Sequence, residues 1–193
     1  MIGKRSMAKR GGKLIVISAP SGCGKTTIVE RLLERNENLK RSISYTTRPP
    51  RPGEANGNDY FFVSKEDFVS KEKSGFFLES ARVFGHFYGT SQAFVKDSIS
   101  HGTDLVLAID VQGMKQIKKQ NVKTIPMISI FIMPPSLEAL KARLEKRQTE
   151  KKSEMEERLR IAELEMKEKN IYDFIIVNHT VDQAVKEIEE IIK

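Results

Sequence analysis

The stretch Leu14-Ile15-Val16-Ile17-Ser18-Ala19-Pro20-Ser21-Gly22-Cys23-Gly24-Lys25-Thr26-Thr27 decides the fold. Its first five residues are a β-branched apolar run of the length expected for a buried strand. A glycine-rich turn follows. Residues 26–37 then place Ile28, Val29, Leu32 and Leu33 on one face at helical spacing. A strand, a glycine-rich loop and a helix in that order make an anion site. Gly22 and Gly24 let backbone N–H groups converge on one anion, and the helix presents its positive N-terminus to the same charge. Cys23 reads as a small filler of the loop, with a redox-sensitive thiol near the helix N-terminus as the alternative.

Working outward, the same alternation returns after residue 103. Residues 104–109 (DLVLAI) read as a buried strand and 112–119 as a helix. Residues 127–133 (MISIFIM) are a continuous apolar strand stopped by Pro134-Pro135, and Ser136 can cap a helix running to Arg147. After a polar break at 148–152, Ser153 and Glu156 have capping-box spacing and open a helix to about residue 169. That helix offers i,i+4 pairs at Glu154–Arg158, Glu156–Arg160, Glu163–Lys167 and Glu165–Lys169. Residues 174–177 (FIIV) read as a strand, and Thr180 with Gln183 forms a second capping box before a terminal helix. Apolar strands alternating with helices predict an α/β fold, a three-layer core of parallel sheet flanked by helices. Ligands of such sheets bind beyond the carboxyl ends of the strands.

The middle of the chain breaks this pattern. Residues 42–46 read as a strand, 48–58 (RPPRPGEANGN) as a loop, and 60–63 and 76–84 as half-buried strands around a short helix at 65–73. Residues 44–90 are therefore expected to be an insert with its own small mixed β-sheet, joined to a core of 13–43 and 91–193.

Composition narrows the class. The chain has 193 residues, 39% hydrophobic and 31% charged, with a single cysteine. No internal disulfide is possible, no apolar run approaches the ~20 residues of a membrane span, and the N-terminus has charge but no apolar segment of a secretory signal. Membrane protein, secreted disulfide scaffold and fibre are excluded, and a cytoplasmic location is expected. The net charge is +7, and four of those charges are Lys4, Arg5, Lys9 and Arg10 in a tail over 1–12 that reads as flexible. The remaining balance suits an enzyme handling anions better than a nucleic-acid partner.

Residues 19–26, APSGCGKT, resemble the Walker A motif of P-loop nucleotide kinases, with Ala19 in place of the first glycine. The resemblance implies that residues 19–27 bind ATP, that Lys25 neutralises its β- and γ-phosphates, and that Thr26 is a ligand of Mg²⁺. The insert carries a more specific likeness. Residues 44–54 (SYTTRPPRPGE), Asn56-Gly57-Asn58-Asp59-Tyr60, Phe77-Leu78-Glu79, Tyr88-Gly89-Thr90 and Asp110-Val111-Gln112-Gly113 closely resemble the nucleoside-monophosphate segments of guanylate kinases. That implies transfer of a phosphoryl group from ATP to GMP, and with it dGMP, giving ADP and the nucleoside diphosphate. It also implies a GMP site of Ser44, Arg48, Arg51, Tyr60, Glu79, Tyr88, Thr90 and Asp110. Two arginines three apart on a Pro-stiffened loop can fork onto one phosphate. A carboxylate at Glu79 can accept from both guanine N1–H and the exocyclic amine, donors that adenine lacks on that edge.

Arg143 and Arg147 share one helix face, Arg158 opens the next helix, and the resemblance makes residues 143–160 a lid whose arginines close over the donor phosphates. Lys25, Arg48, Arg147 and Arg158 are the implied catalytic charges, and Asn178 is implied near the adenine. Two departures stand out: Ala108 replaces an acid usual two residues before Asp110, and His179 follows Asn178 where the family often has aspartate. The first leaves Mg²⁺ to Thr26, phosphate oxygens, water and Asp110. Rival readings are a kinase of another nucleoside monophosphate, a non-catalytic guanylate-kinase-like interaction module, and a nucleic-acid-binding NTPase. The expected partners are ATP and GMP, with no nucleic acid or membrane, in a monomer or homodimer.

Overall fold

The computed structural model describes residues 11–83, 85–120, 125–146 and 152–193. In chain order the elements are β1 Leu14–Ser18, α1 Lys25–Arg35, β2 Leu39–Arg41, β3 Tyr45–Thr46, β4 Phe61–Phe62, α2 Lys65–Lys73, β5 Phe77–Val83, β6 His86–Ser91, α3 Gln92–Ser100, β7 Asp104–Ala108, α4 Val111–Lys119, β8 Met127–Met133, α5 Leu137–Lys146, α6 Lys152–Lys167, β9 Phe174–Val177 and α7 Val181–Ile192. Five strands form a sheet in the order β2-β7-β1-β8-β9, parallel throughout.

Side-chain alternation along β1 builds the two outer layers. Ile15 and Ile17 face a core with Ile28, Val29 and Leu32 of α1 and Ala184, Val185 and Ile188 of α7. Leu14 and Val16 face the opposite core, with Val95 and Ile99 of α3 and Met114 and Ile117 of α4. Every residue of β1 is buried. Each such aliphatic side chain stabilises the fold by roughly 1.5–3 kcal/mol, which is why a central strand can be apolar on both faces.

The second sheet has the order β4-β3-β6-β5, mixing one parallel pair with two antiparallel ones. Phe68 of α2 is buried against it, stacked on Phe77 at 4.5 Å and Phe87 at 5.5 Å between ring centroids. The expected strand over 42–46 shortens to Tyr45–Thr46, and a strand that was not expected, Leu39–Arg41, precedes it. Leu39–Arg41 pairs with β7 in the large sheet and Tyr45–Thr46 joins the small one, with Ser42–Ser44 crossing between them. Ser42 N still donates to Val106 O at 2.9 Å, so the chain leaves the large sheet one residue past β2. Residues 85–103, where the sequence pattern predicts no element, hold β6 and α3.

Ser136 Oγ accepts from Ala139 N at 3.1 Å and Thr180 Oγ1 from Gln183 N at 3.3 Å, so both act as helix caps. The amide of Gln183 donates to Glu187, not back toward Thr180. Helix α6 already includes Lys152, which puts Ser153 within its first turn and not at its cap. The expected Glu156–Arg160 pair is replaced by Glu157–Arg160, with N–O distances of 2.7 and 2.8 Å. Because α6 ends at Lys167, Glu165 and Lys169 lose i,i+4 geometry, and Glu165 faces the phosphate loop. Residues 1–10 of the expected tail and 147–151 of the expected lid, Arg147 among them, lie outside the described residues, while Gly12, expected in the flexible tail, donates its N–H to Ile99 O at 2.9 Å.

Candidate active site

Residues 19–24 connect β1 to α1 in a loop that its glycines make possible. Gly22 and Gly24 have φ of +88° and +87°, a left-handed backbone that a side chain would strain. Gly24 is the N-cap of α1 and supplies no side chain to it, so the first-turn N–H groups stay available to an anion. Lys25 Nζ donates to Ile109 O at 2.9 Å, which anchors the ammonium at the carboxyl end of β7. Burial pulls its pKa below the ordinary lysine value, opposed first by Asp110 and then by Glu165 and Glu79.

Cys23 is fully buried, and burial pushes its thiol up to about 12. It fills the loop and is not a reactive thiolate. Asn178 is buried and its Nδ2 donates to Cys23 O at 2.8 Å, while Arg143 Nη2 donates to Asn178 O at 2.9 Å. These two residues, expected beside ATP, brace the loop from behind and line neither adjoining cavity.

A cavity of about 240 Å³ opens between the two sheets. Ser44, Tyr60, Glu79, Tyr88 and Asp110 meet there with Lys25 and Thr26. Glu79 is 3% exposed and accepts from Thr90 Oγ1 at 2.6 Å. Burial pushes its carboxyl up to about 7, with the Thr90 hydroxyl opposing that rise. Its direction is set by a register shift between Phe77 and Glu79 in the β5–β6 ladder. A bulge breaks the period-two alternation, so Phe77, Leu78 and Glu79 are buried in succession. Ala108, in place of an acid, lines the same cavity from the end of β7.

Arg48 reaches this site through its neighbours. Its guanidinium lies 5.4 Å from the Tyr60 ring centroid and donates from Nη2 to both oxygens of Glu54. The Glu54 bond is the main cause holding the Arg48 pKa above its ordinary value. Arg51 is exposed, and its backbone N donates to Glu54 Oε2 at 2.7 Å.

A second cavity of about 300 Å³ runs along residues 19–22 and 24–27 to Arg82, Gln112 and Glu165. Arg158 Nη1 lies 3.3 Å from Ser21 Oγ at its edge. Burial pushes Glu165 up to about 7 against the nearby Lys25. Sequence reasoning missed Glu165, Glu54, Arg41, Ser42, Asp59, Arg82 and Gln112 as members of the site. Only Glu54, Asp59 and Gln112 carried a signal, since they lie within the motifs quoted above.

The two cavities share Lys25, Thr26, Val83 and Asp110. A phosphate loop on a parallel sheet, with a second polar pocket sharing its lysine, defines a P-loop phosphotransferase of small molecules. The sequence profile described as guanylate kinase matches residues 11–193. The chain belongs to the guanylate kinase family. It is 48% identical over 184 residues to a guanylate kinase of Wolbachia sp. subsp. Brugia malayi, covering 94% of this chain and 92% of that one. Against the guanylate kinase of Hahella chejuensis the identity is 44% over 182 residues, 94% and 86% of the two chains. The crystal structure of guanylate kinase from Anaplasma phagocytophilum superposes with a TM-score of 0.77 at 36% identity, covering 96% of this chain and 87% of that one.

Proposed function

We propose that this enzyme transfers the γ-phosphoryl group of ATP to GMP across the junction of the two cavities, giving ADP and GDP. The observation that carries the reading is the sharing of Lys25, Thr26 and Asp110 by both pockets, which lets two nucleotides meet at one cation. ATP takes the cavity along residues 19–27, with its phosphates on the loop N–H groups. GMP takes the cavity of Ser44, Tyr60, Glu79 and Tyr88.

An oxygen of the GMP phosphate attacks the γ-phosphorus. The new O–P bond forms as the bond to the β–γ bridging oxygen breaks, and ADP leaves with that electron pair. No side chain serves as nucleophile. Positioning and charge neutralisation supply the catalysis. Lys25 and Arg158 face the donor phosphates; Arg48 and Arg51, helped by Tyr60 and Tyr88, hold the acceptor phosphate. Glu79 accepts from the guanine edge, held by Thr90, and Ser44 donates to the guanine carbonyl. Arg143 and Asn178 act through the loop they brace, and Arg147 belongs to the lid that excludes water.

Among the described residues no three His, Cys, Asp or Glu side chains converge as a metal cage. Thr26 is exposed toward both cavities beside Asp110. One hydroxyl with phosphate oxygens and water suits Mg²⁺, which keeps much of its hydration shell. When bound, Mg²⁺ neutralises developing phosphate charge. Among the described residues no helix is long and apolar enough to cross a membrane. A cytoplasmic enzyme acting on free nucleotides, as a monomer or homodimer without nucleic acid, is the reading that goes with these sites.

The test is ADP formation in a coupled assay with GMP, dGMP, AMP, UMP and CMP as acceptors. Turnover with the guanine nucleotides alone is expected. Equal turnover with AMP, or ADP release that needs no acceptor, would overturn the reading.

A further inference from the structure

The helix that starts at Asp110 grips the acceptor strand with residues that the proposed chemistry does not use. Gln116 Oε1 accepts from Ser80 N at 3.0 Å, and Gln116 Nε2 donates to Ser80 O. One side-chain amide thus takes both backbone groups of a single residue, as a neighbouring strand would. Gln120 Nε2, one turn further, donates to Leu78 O at 2.9 Å. The gripped residues are the two that flank Glu79.

Strand β5 lies at the end of the small sheet, with β6 as its strand neighbour. Its outer backbone groups would be left without partners inside the protein, which is costly. The glutamines fill that role from α4. Gly113 belongs to the same helix face, at i+3 and i+7 spacing from Gln116 and Gln120. A Cβ at Gly113 would sit 2.5 Å from Glu79 Oε2, so the bare helix backbone backs the carboxylate. Asp110 caps the same helix, accepting from Gly113 N at 2.9 Å, and lines both cavities.

The geometry points to Gln116, supported by Gln120 and Gly113, as a positioning residue for base selection: α4 serves as a surrogate strand that fixes where the Glu79 carboxylate stands. The bulge between Phe77 and Glu79 makes this necessary, because β5 is not held in regular register there. A carboxylate that must meet two donors of one base edge tolerates little displacement. This inference rests on the reading that Glu79 accepts from the guanine edge.

The experiment compares wild type, Gln116→Leu, Gln116→Glu and Glu79→Gln with GMP, inosine monophosphate and AMP. Inosine monophosphate keeps the N1–H and lacks the exocyclic amine. Gln116→Leu removes both bonds at similar volume. It is expected to raise KM for GMP roughly tenfold, the effect of losing a bonded amide, and to narrow the GMP-to-inosine-monophosphate ratio. KM for ATP should stay within about twofold. Gln116→Glu keeps the bond from Ser80 N and should fall between. If Gln116→Leu does not fold, Gln120→Leu removes only the bond to Leu78 and should shift the same ratio in the same direction by a smaller factor. Glu79→Gln separates the two readings: if it keeps the guanine preference, the assignment of Glu79 itself fails. If Glu79→Gln loses that preference while the glutamine variants keep the wild-type ratio, or lower kcat equally for all acceptors, the positioning role is overturned.

Discussion

Glu54 holds Arg48 by a single nitrogen: Nη2 donates to both carboxylate oxygens, at 2.8 and 2.9 Å. The same carboxylate accepts from Arg51 N at 2.7 Å, which closes the Pro-rich loop into a ring. Arg48 Nη1 is spent on Pro49 O. The guanidinium is therefore aimed before any phosphate arrives, toward the Tyr60 ring, which itself packs against Tyr88. Glu54→Ala should raise KM for GMP roughly three- to tenfold, as expected for losing a partly buried, charge-assisted pair, with KM for ATP unchanged. Steady-state kinetics on both substrates checks this, and a fall in KM for GMP would instead make Glu54 a competitor of the phosphate.

The raised carboxyl of Glu79 gives a pH signature of defined sign. A proton bound by the folded chain up to about 7 is released by the unfolded chain near 4.5. The folded state therefore binds more protons between those values, and its stability falls as pH rises through that window, levelling above it. Glu165 adds to the same slope, with its carboxyl also pushed up to about 7. Thermal unfolding of Glu79→Gln should show a shallower decline over this range than the wild type. The proposed acceptance of both guanine donors by Glu79 uses the ionised form, so kcat/KM for GMP should rise as pH passes about 7. In Glu79→Gln that rise should disappear, leaving only the titration of the GMP phosphate common to both.

Gly24→Ala would place a Cβ 3.0 Å from Asn178 Nδ2 on a backbone of φ +87°. Strain of this kind costs about 1–3 kcal/mol, or about 2–4 °C in Tm per kcal/mol for a chain of this size. Calorimetry should show that loss together with weakened ATP binding, while GMP binding is retained. Unchanged ATP affinity would remove the loop backbone from the donor site.

Lys25→Met deletes the cation common to both cavities. The rate of transfer should fall by roughly 10³-fold or more, the scale of losing a transition-state charge partner. Rapid-quench measurement of ADP at saturating substrates tests this directly, and turnover within tenfold of wild type would exclude Lys25 from the chemistry.

Chelation of divalent cations should abolish turnover, and Mg²⁺ should restore it. Thr26→Ala should raise the Mg²⁺ concentration needed for half-maximal rate several-fold, since it removes one of few protein oxygens available to the ion. An unchanged Mg²⁺ titration would take Thr26 out of the metal's reach.

Much of this fold was legible before any coordinates. β1, β8, β9 and α2 match their expected bounds, and for the strands the reason is that contiguous apolar runs and a Pro134-Pro135 stop are local signals. The phosphate loop was equally plain, since glycine and lysine carry their chemistry in residue type and short spacing, and the acceptor motifs were legible through their resemblance to guanylate kinases. The strand order, the division of residues 39–46 between two sheets, and β6 with α3 were not. Nor were the partners Glu54, Glu165 and Gln116, or the use of Asn178 as a brace. Gln116 meets Ser80 across 36 residues of chain, and Asn178 meets Cys23 across 155. Periodicity and propensity act over a few residues, whereas such contacts exist only once packed layers bring distant backbone groups into hydrogen-bonding range. Short motifs and the family they resemble pointed to the ligands; three-dimensional packing alone chose which side chains hold Glu79, Arg48 and the phosphate loop in place.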